Sequence, residues 1–235
     1  MVSINVIHER AALPAELPAG AKAKVHLIVV QVSDIKAAAT EIITALNDVS
    51  WIAKLDPVAR DSYEATALRT IDKLTSDFAS INSSVTSSFG EYLVSIAAGD
   101  SLEIVLNHDV FPIAELWKEK VTKNHGFDFH TESLQEVISF GEAKYEKGTN
   151  PYNDSADQIL KFIALKKDRG DGVHLEKFAS KNAISNLLKS SRGFTVAFSM
   201  HSDKPESILK NALKSDLIKK LILCSHELHI VGVKS

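Results

Sequence analysis

The sequence predicts one α/β domain with N-terminal additions. Short β-branched and apolar runs, such as residues 24–32 and 193–200, are typical of buried strands. Segments with apolar residues at helical spacing lie between them, and this alternation favours an α/β architecture. The chain has 235 residues, of which 45% are hydrophobic, so it can bury a sizeable core.

The N-terminal part is predicted to contain a strand followed by helices. Residues 24–32, KVHLIVVQV, form the strand, and a capped helix follows it. Pro57 opens a second helical stretch. There Leu68, Ile71 and Leu74 form an apolar stripe at helical spacing.

A third helix is predicted over residues 85–98, where apolar residues recur at helical spacing and Gly99 provides a stop. Gly90 inside this helix costs roughly 1 kcal/mol relative to alanine. A glycine at this position lets another element approach closely. We therefore consider its neighbour Glu91 a candidate functional residue.

Two strand-like runs, residues 127–132 and 137–144, predict an antiparallel hairpin. If the turn is centred near Gln135, Asp128 and Glu142 are equally far from it and lie opposite each other. Directly opposed residues share a face of the sheet, with Cβ atoms about 5 Å apart. Lys144 lies on that face too, because residues two apart in a strand point to the same side.

This grouping of Asp128, Glu142 and Lys144 has two interpretations. It is either an exposed strand edge with an ordinary charge pair or a site that holds a metal ion and a water. Opposed carboxylates are destabilising unless a cation lies between them, and oxygen ligands suit Mg²⁺ or Mn²⁺. Such a site supports metal-assisted hydrolysis of a phosphodiester, in which the ammonium orients the water or offsets charge on the phosphate.

The order Asp128, then Glu142-Ala143-Lys144, resembles the D-(x)n-E-x-K signature of the PD-(D/E)xK nuclease superfamily. The resemblance implies a restriction-endonuclease-like core, with a mixed sheet flanked by helices, over residues 81–235. Residues 1–80 would then be an α/β extension and a possible partner-binding region. It also implies that Asp128 and Glu142 bind the metal ion and that Lys144 positions the attacking water.

Two flanking helices extend the resemblance. In many branches of the superfamily a helix before the hairpin supplies a glutamate to the metal, and Glu91 in SFGEYL is the candidate. A helix after the hairpin often carries a glutamine that orients the site or contacts phosphate, and Gln158 in SADQILKF is the candidate. Phe162 stands where a tyrosine is common, which removes that residue's polar role but not its packing role.

The segments GFDFHTESLQEVISFGEAKY and SADQILKF together resemble HamA, the nuclease family of the Hachiman antiphage defence system. The resemblance implies a metal-dependent deoxyribonuclease that uses Mg²⁺ or Mn²⁺. It also implies a partner, a HamB-like superfamily 2 helicase, that controls DNA degradation. A catalytically silent nuclease-fold subunit, which regulates or binds nucleic acid, is the alternative. A structural adaptor with a surface charge pair is a further one.

The formal net charge of −3 gives no overall basic field, so DNA contact requires a local patch. One candidate is a set of cations around one helix end, which is either a DNA-facing patch or a solvated face: Lys161, Lys166, Lys167 and Arg169. There is no P-loop motif for ATP.

The single cysteine, Cys224, fits a reducing compartment. No apolar run approaches ~18 residues and no secretory pattern opens the sequence, so we expect a cytoplasmic protein without membrane contact. Cys224, His226 and His229 suggest zinc, but their spacing is compressed and we favour a strand and turn. His130 is either near the metal and phosphate or a surface histidine at a strand end.

Overall fold

The computed structural model describes residues 3–79, 86–118 and 126–235. Within these ranges the strands form one mixed sheet. In chain order they are β1 (Ile4–Ala11), β2 (Lys24–Val32), β3 (Asp109–Val110), β4 (Phe129–Glu132), β5 (Ile138–Lys144), β6 (Gly193–Ser199) and β7 (Glu227–Lys234). Their order across the sheet is β1-β2-β7-β6-β5-β4-β3.

Helices flank this sheet. Those in the described ranges are α1 (Ile35–Asn47), α2 (Pro57–Ala79), α3 (Ser87–Leu106), α4 (Tyr152–Ala164), α5 (Lys167–Gly170), α6 (Gly172–Leu175), α7 (Lys181–Leu188), α8 (Pro205–Lys214) and α9 (Asp216–Cys224). The prediction of an α/β fold with a mixed sheet flanked by helices is confirmed. No helix in the described ranges is both long and apolar enough to cross a membrane.

The middle of the sheet is parallel. Strands β2, β7, β6 and β5 run in the same direction, whereas β1 pairs antiparallel with β2, and β4 pairs antiparallel with β5. The carboxyl ends of the four parallel strands therefore lie together on one side of the sheet and their amino ends on the opposite side. We call the two sides, where the strands end and begin, the two edges of the parallel part of the sheet. Lys144 ends β5 at the first edge, and Glu227 begins β7 at the second.

The N-terminal strands belong to the same sheet as the rest of the chain. Strand β2 pairs with β7 along its length, from Lys24 opposite Glu227 to Gln31 opposite Lys234. The predicted boundary at residue 80 lies outside the described residues, so the division of the chain there stays a prediction. Strand β1 was not predicted, and its residues alternate between half-buried and exposed at the sheet edge.

Apolar side chains cover both faces of the sheet. Alternate residues of β2 enter different clusters, with Val25 and Leu27 in one and Ile28 and Val30 in the other. This alternation is the period of two that a strand buried on both faces requires. Buried side chains of α4, α8 and α9 belong to the first cluster, and those of α1 and α3 belong to the second.

Two details of the helix predictions were wrong. Gly99 does not end α3, which continues to Leu106 and ends at Asn107 in the left-handed conformation (φ 56°). Tertiary packing overrides the low helix propensity of glycine in this buried segment. In α2, Leu68 is 53% exposed, and the buried stripe instead contains Ala67 with Ile71. The predicted start of α3 at residue 85 lies outside the described residues.

Candidate functional site

The predicted hairpin has the predicted register. Phe129 pairs with Gly141 and His130 pairs with Phe140, which places the turn centre at Gln135. One residue further, the backbone N–H of Asp128 donates to the carbonyl of Gly141 at 2.9 Å. Asp128 and Glu142 therefore lie beside each other on adjacent chain segments.

Four of the predicted site residues come together at the carboxyl end of β5. Lys144 Nζ donates to Glu142 Oε1 at 2.8 Å and lies 3.6 Å from Glu91 Oε1. The Oδ2 atom of Asp128 accepts a hydrogen bond at 2.9 Å from the backbone N–H of Ala143, which lies between Glu142 and Lys144 in β5. We call Glu91, Asp128, Glu142 and Lys144 the carboxylate–lysine cluster.

Glu91 reaches the cluster because α3 approaches the end of β5 closely. The ring of Tyr145 lies against Gly90, where a Cβ atom would overlap it. Thr86 caps the helix by accepting the N–H of Phe89 at 3.3 Å. The glycine in the sequence thus marks a close approach, and that approach brings its neighbour Glu91 to Lys144.

The carboxylate of Glu142 is buried within the cluster. It is 1% exposed, and burial together with the charge of Asp128 raises its pKa well above the usual range, despite the opposing charge of Lys144. Its Oε2 atom is buried and has no hydrogen-bond partner in the described part of the chain. An ionised carboxylate in this state needs a cation or a proton, because an unpaired buried oxygen is costly.

The ammonium of Lys144 is held in its charged form. Burial opposes the charge, but Glu142 and Glu91 outweigh burial and raise the pKa of Lys144. Its side chain keeps 21% of its surface exposed, so the charged end can meet a molecule from solvent. The cluster therefore presents a fixed positive charge beside a buried, incompletely satisfied carboxylate.

Gln158 is not joined to this cluster. It is half-buried on α4, one turn after Ser155, and makes no hydrogen bond with the four cluster residues in the described part of the chain. Ser155 makes the contact between α4 and the site, since its Oγ donates to the Glu142 carbonyl at 2.8 Å. The predicted role of Gln158 in orienting the site or contacting phosphate stays a prediction.

The three acids do not form a preassembled cage for a metal ion. Among the described residues, the one set of three His, Cys, Asp or Glu ligand atoms that all lie within 4.8 Å of one another is His108, Glu227 and His229. A metal ion at the carboxylate–lysine cluster would therefore need further oxygen ligands. Water and substrate phosphates supply these at Mg²⁺ sites.

One cation of the predicted basic patch, Lys167, interacts with the charge of the cluster residue Glu142. Burial is the main cause that lowers the pKa of Lys167. The charge of Lys118 also lowers this pKa, whereas the charges of Asp171 and Glu142 raise it. Its ammonium lies 5.0 Å from the centre of the Phe162 ring. Two other members of the predicted basic patch are more exposed: Lys161 pairs with Asp157, and Arg169 donates to Ser190 Oγ at 2.6 Å.

His130 belongs to a separate buried group. It is 0% exposed, and its Nε2 lies 3.1 Å from Asp171 Oδ2, which Lys118 Nζ also contacts at 2.9 Å. Burial alone would raise the pKa of Asp171, but His130 and Lys118 outweigh it and lower the pKa to about 2. Of the two alternatives for His130, the surface histidine is therefore wrong, because the ring packs against those of Trp117 and Phe140.

A second cluster lies at the opposite edge of the sheet. His108 follows α3, while Glu227 and His229 are two residues apart in β7, and all three side chains are buried. We call them the His–Glu–His cluster. Burial, with the charge of His26, lowers the pKa of His108 to about 4, and burial lowers that of His229 well below its usual range.

Only part of this second cluster was indicated by the sequence. His229 was considered together with Cys224 and His226, but both of those are exposed. Glu227 and His229 at strand spacing were the available signal, since residues two apart share a face. His108 could not be added, because only the fold brings the end of α3 to β7.

No protein-family model matches this chain, and no curated protein is significantly similar to it. The function therefore has to be argued from the geometry and from the residues that carry the resemblance.

Proposed function

We propose that this chain is a metal-dependent deoxyribonuclease of the PD-(D/E)xK type. The observation that carries the proposal is the buried Oε2 of Glu142, which has no partner in the described part of the chain although Asp128, Glu91 and Lys144 surround the carboxylate. A charge pair at an exposed strand edge would leave both oxygens in water. The burial of Glu142 favours a site that takes up a cation.

Mg²⁺ or Mn²⁺ fits this set of donors. Asp128 and Glu142 would hold the ion, and Glu91 would support it directly or through water, because hard divalent cations prefer carboxylate oxygens. When bound, the ion polarises a phosphoryl oxygen and lowers the pKa of a coordinated water. The raised pKa of Glu142 in the absence of metal is the expected cost of a carboxylate placed to receive such an ion.

The chain's own side chains contribute position and charge. Lys144 is held by Glu142 and Glu91, so its ammonium has a defined place beside the reacting phosphate, where it orients a water and offsets developing negative charge. Lys167, whose pKa is influenced by the charge of Glu142, attracts the phosphate backbone of DNA. Gln158 on α4 contacts phosphate when DNA is bound.

The resemblance to HamA extends the proposal to a biological setting. The nuclease acts on DNA in the cytoplasm as the effector of an antiphage complex, and a HamB-like superfamily 2 helicase controls it. Residues 1–80 contain the surface for this partner. The net charge of −3 supports dependence on a partner, since the chain has no overall basic field to hold DNA on its own.

Cleavage of supercoiled plasmid tests the proposal. The purified chain is incubated with Mg²⁺ or Mn²⁺, with an EDTA control, alone and with the cognate helicase and ATP. We expect metal-dependent cutting that Glu142→Gln abolishes. Glu146→Gln, an exposed acid in the loop after β5, is the matched control and should cut like the parent protein.

Plasmid cleavage, together with a Mn²⁺ titration, separates the alternatives. Cutting by Glu142→Gln at the parental rate would remove Glu142 from the site. No cutting under any condition, together with Mn²⁺ binding that Glu142→Gln abolishes, would favour a silent regulatory subunit. Neither cutting nor metal binding would leave a surface charge pair in a structural adaptor.

A further inference from the structure

The His–Glu–His cluster has the residue types of a transition-metal site. It contains two imidazoles and one carboxylate, and one ligand atom from each lies within 4.8 Å of the others. Neutral imidazole nitrogen and carboxylate oxygen are the donors that bind Zn²⁺ in many proteins, often as a set of three that leaves one position for water. The cluster shares no residue with the carboxylate–lysine cluster.

Buried polar atoms in this cluster lack partners. His229 is 1% exposed, and neither of its ring nitrogens has a hydrogen-bond partner in the described part of the chain. The Oε2 atom of Glu227 is in the same state, and it lies 3.9 Å from His229 Nε2, beyond hydrogen-bond distance. Buried nitrogen and oxygen atoms are normally satisfied, so three such atoms at one place indicate a missing ligand.

Neighbouring hydroxyl groups orient the other two ligands. Thr131 Oγ1 lies 2.9 Å from His108 Nδ1, so a hydrogen bond there leaves the Nε2 atom of His108 as the nitrogen for a metal ion. Ser133 Oγ donates to Glu227 Oε1 at 3.2 Å, which leaves Oε2 as the free oxygen. Metal-binding histidines and carboxylates are commonly oriented by such outer hydrogen bonds.

A small cavity gives the cluster access. Its volume is about 70 Å³, and its lining includes all three ligands together with His26 and Lys24. The Nδ1 atom of His26 also lacks a partner, and its ring centre is 6.0 Å from that of His229. The space is sufficient for one ion and a water, with His26 available as a fourth ligand.

We propose that His108, Glu227 and His229 bind a divalent transition-metal ion such as Zn²⁺. Zinc bonds of about 2.0–2.1 Å bring ligand atoms to roughly 3.4 Å from one another, so binding draws these groups inward by on the order of 1 Å. Nitrogen-containing donor sets favour Zn²⁺ over Mg²⁺. The ion therefore differs in kind from the one proposed for the carboxylate–lysine cluster.

Calorimetric titration with Zn²⁺ tests this proposal. The protein carries no affinity tag, is stripped with a chelator, and contains Glu142→Gln so that the carboxylate–lysine cluster does not contribute. We expect one Zn²⁺ per chain. His229→Gln and, independently, His108→Gln should each weaken binding by about 10- to 100-fold or more. His226→Gln, an exposed histidine in the same segment, should leave the affinity unchanged.

Co²⁺ absorption spectra and circular dichroism complete the test. Co²⁺ should give visible bands that disappear in His229→Gln and persist in His226→Gln, while the far-ultraviolet spectra show that the variants are folded. If His229→Gln does not fold, His108→Gln provides the same comparison. Absence of stoichiometric Zn²⁺ binding, or equal affinities for the parent, His108→Gln and His229→Gln, would overturn the proposal.

Discussion

The two edges of the sheet carry two polar clusters that share one property and differ in another. In each, a buried carboxylate keeps one oxygen without a partner in the described part of the chain: Glu142 at the carboxyl end of β5 and Glu227 at the amino end of β7. Glu142 is accompanied by Lys144 and by further acids, whereas Glu227 is accompanied by two buried histidines. The donors at the two edges therefore suit hard and borderline metal ions respectively.

A third polar group shows what the two clusters lack. Both oxygens of Asp171 are satisfied, because Lys118 Nζ lies 2.9 Å from each of them and His130 Nε2 contacts Oδ2. This group joins β4 to the start of α6 as a structural ion pair. The comparison teaches that burial of charge alone does not distinguish a binding site. The Asp171 carboxylate is satisfied, although His130 Nδ1 beside it has no partner in the described part of the chain, whereas Glu142 and Glu227 each keep a free carboxylate oxygen.

Among substitutions that keep all three carboxylates, the largest effect is expected from Lys144→Met, which keeps the apolar stem and removes the charge. We expect cleavage to fall about 10²- to 10³-fold, the usual cost of losing one electrostatic contact to a transition state. Mn²⁺ binding should persist, because the carboxylates remain. Single-turnover plasmid cleavage measures the effect, with the exposed Lys147→Met as control. A parental rate would exclude a catalytic role for Lys144.

Removal of the Asp171 carboxylate, which pairs with Lys118 and His130, should change the free energy of unfolding and its dependence on pH. Asp171→Asn should lower the free energy of unfolding at pH 7 by about 2 kcal/mol, since the folded pKa of about 2 lies below the ordinary value of 3.8. Because the folded pKa is lowered, the contribution is present above about pH 4 and is lost as pH falls towards 2. Urea unfolding of both proteins at pH 7 and pH 2.5 measures the difference. An equal loss at both values would contradict this assignment.

Gly90→Ala tests the close approach of α3 to the end of β5, which places Glu91 beside Lys144. The added methyl group overlaps the Tyr145 ring, so α3 or the end of β5 must shift. We expect cleavage to fall by about tenfold, while Mn²⁺ affinity weakens by less. Gly170→Ala has open space around the new methyl group and serves as the control. Unchanged cleavage in Gly90→Ala would show that the position of Glu91 is not important.

A smaller effect is expected on stability at the carboxylate–lysine cluster. Because the pKa of Glu142 is raised in the folded state, its contribution to stability is lost as pH rises above the ordinary value of about 4.5. Without metal, Glu142→Gln should therefore raise the Tm by a few degrees at pH 8, with a smaller gain at pH 4. Calorimetric melting with EDTA measures both values. A lower Tm at pH 8 would contradict the assigned cost of the buried charge.

Most of the carboxylate–lysine cluster could be predicted from the sequence because its residues lie in local patterns. Asp128, Glu142 and Lys144 lie in one hairpin, so turn position and strand period were sufficient to bring them together. Glu91 could be added because Gly90 signalled a close approach. Gln158 followed from the resemblance alone, and no hydrogen bond in the described part of the chain joins it to the cluster.

The remaining features depend on long-range packing. His108 meets Glu227 and His229 only because the sheet order places β7 near the end of α3, which no local pattern encodes. Strand β1 was missed because half of its residues are exposed at the edge of the sheet. The continuation of α3 beyond Gly99 was missed for a different reason, since burial outweighs helix propensity there.

The most direct test of the account is a calorimetric titration with Mn²⁺, because the central claim is that the free oxygen of Glu142 binds a divalent ion. The parent protein, Glu142→Gln and His229→Gln are compared under the same conditions. We predict that the parent and His229→Gln bind Mn²⁺ with similar affinity and that Glu142→Gln loses this binding. Identical isotherms for the parent and Glu142→Gln would contradict the account.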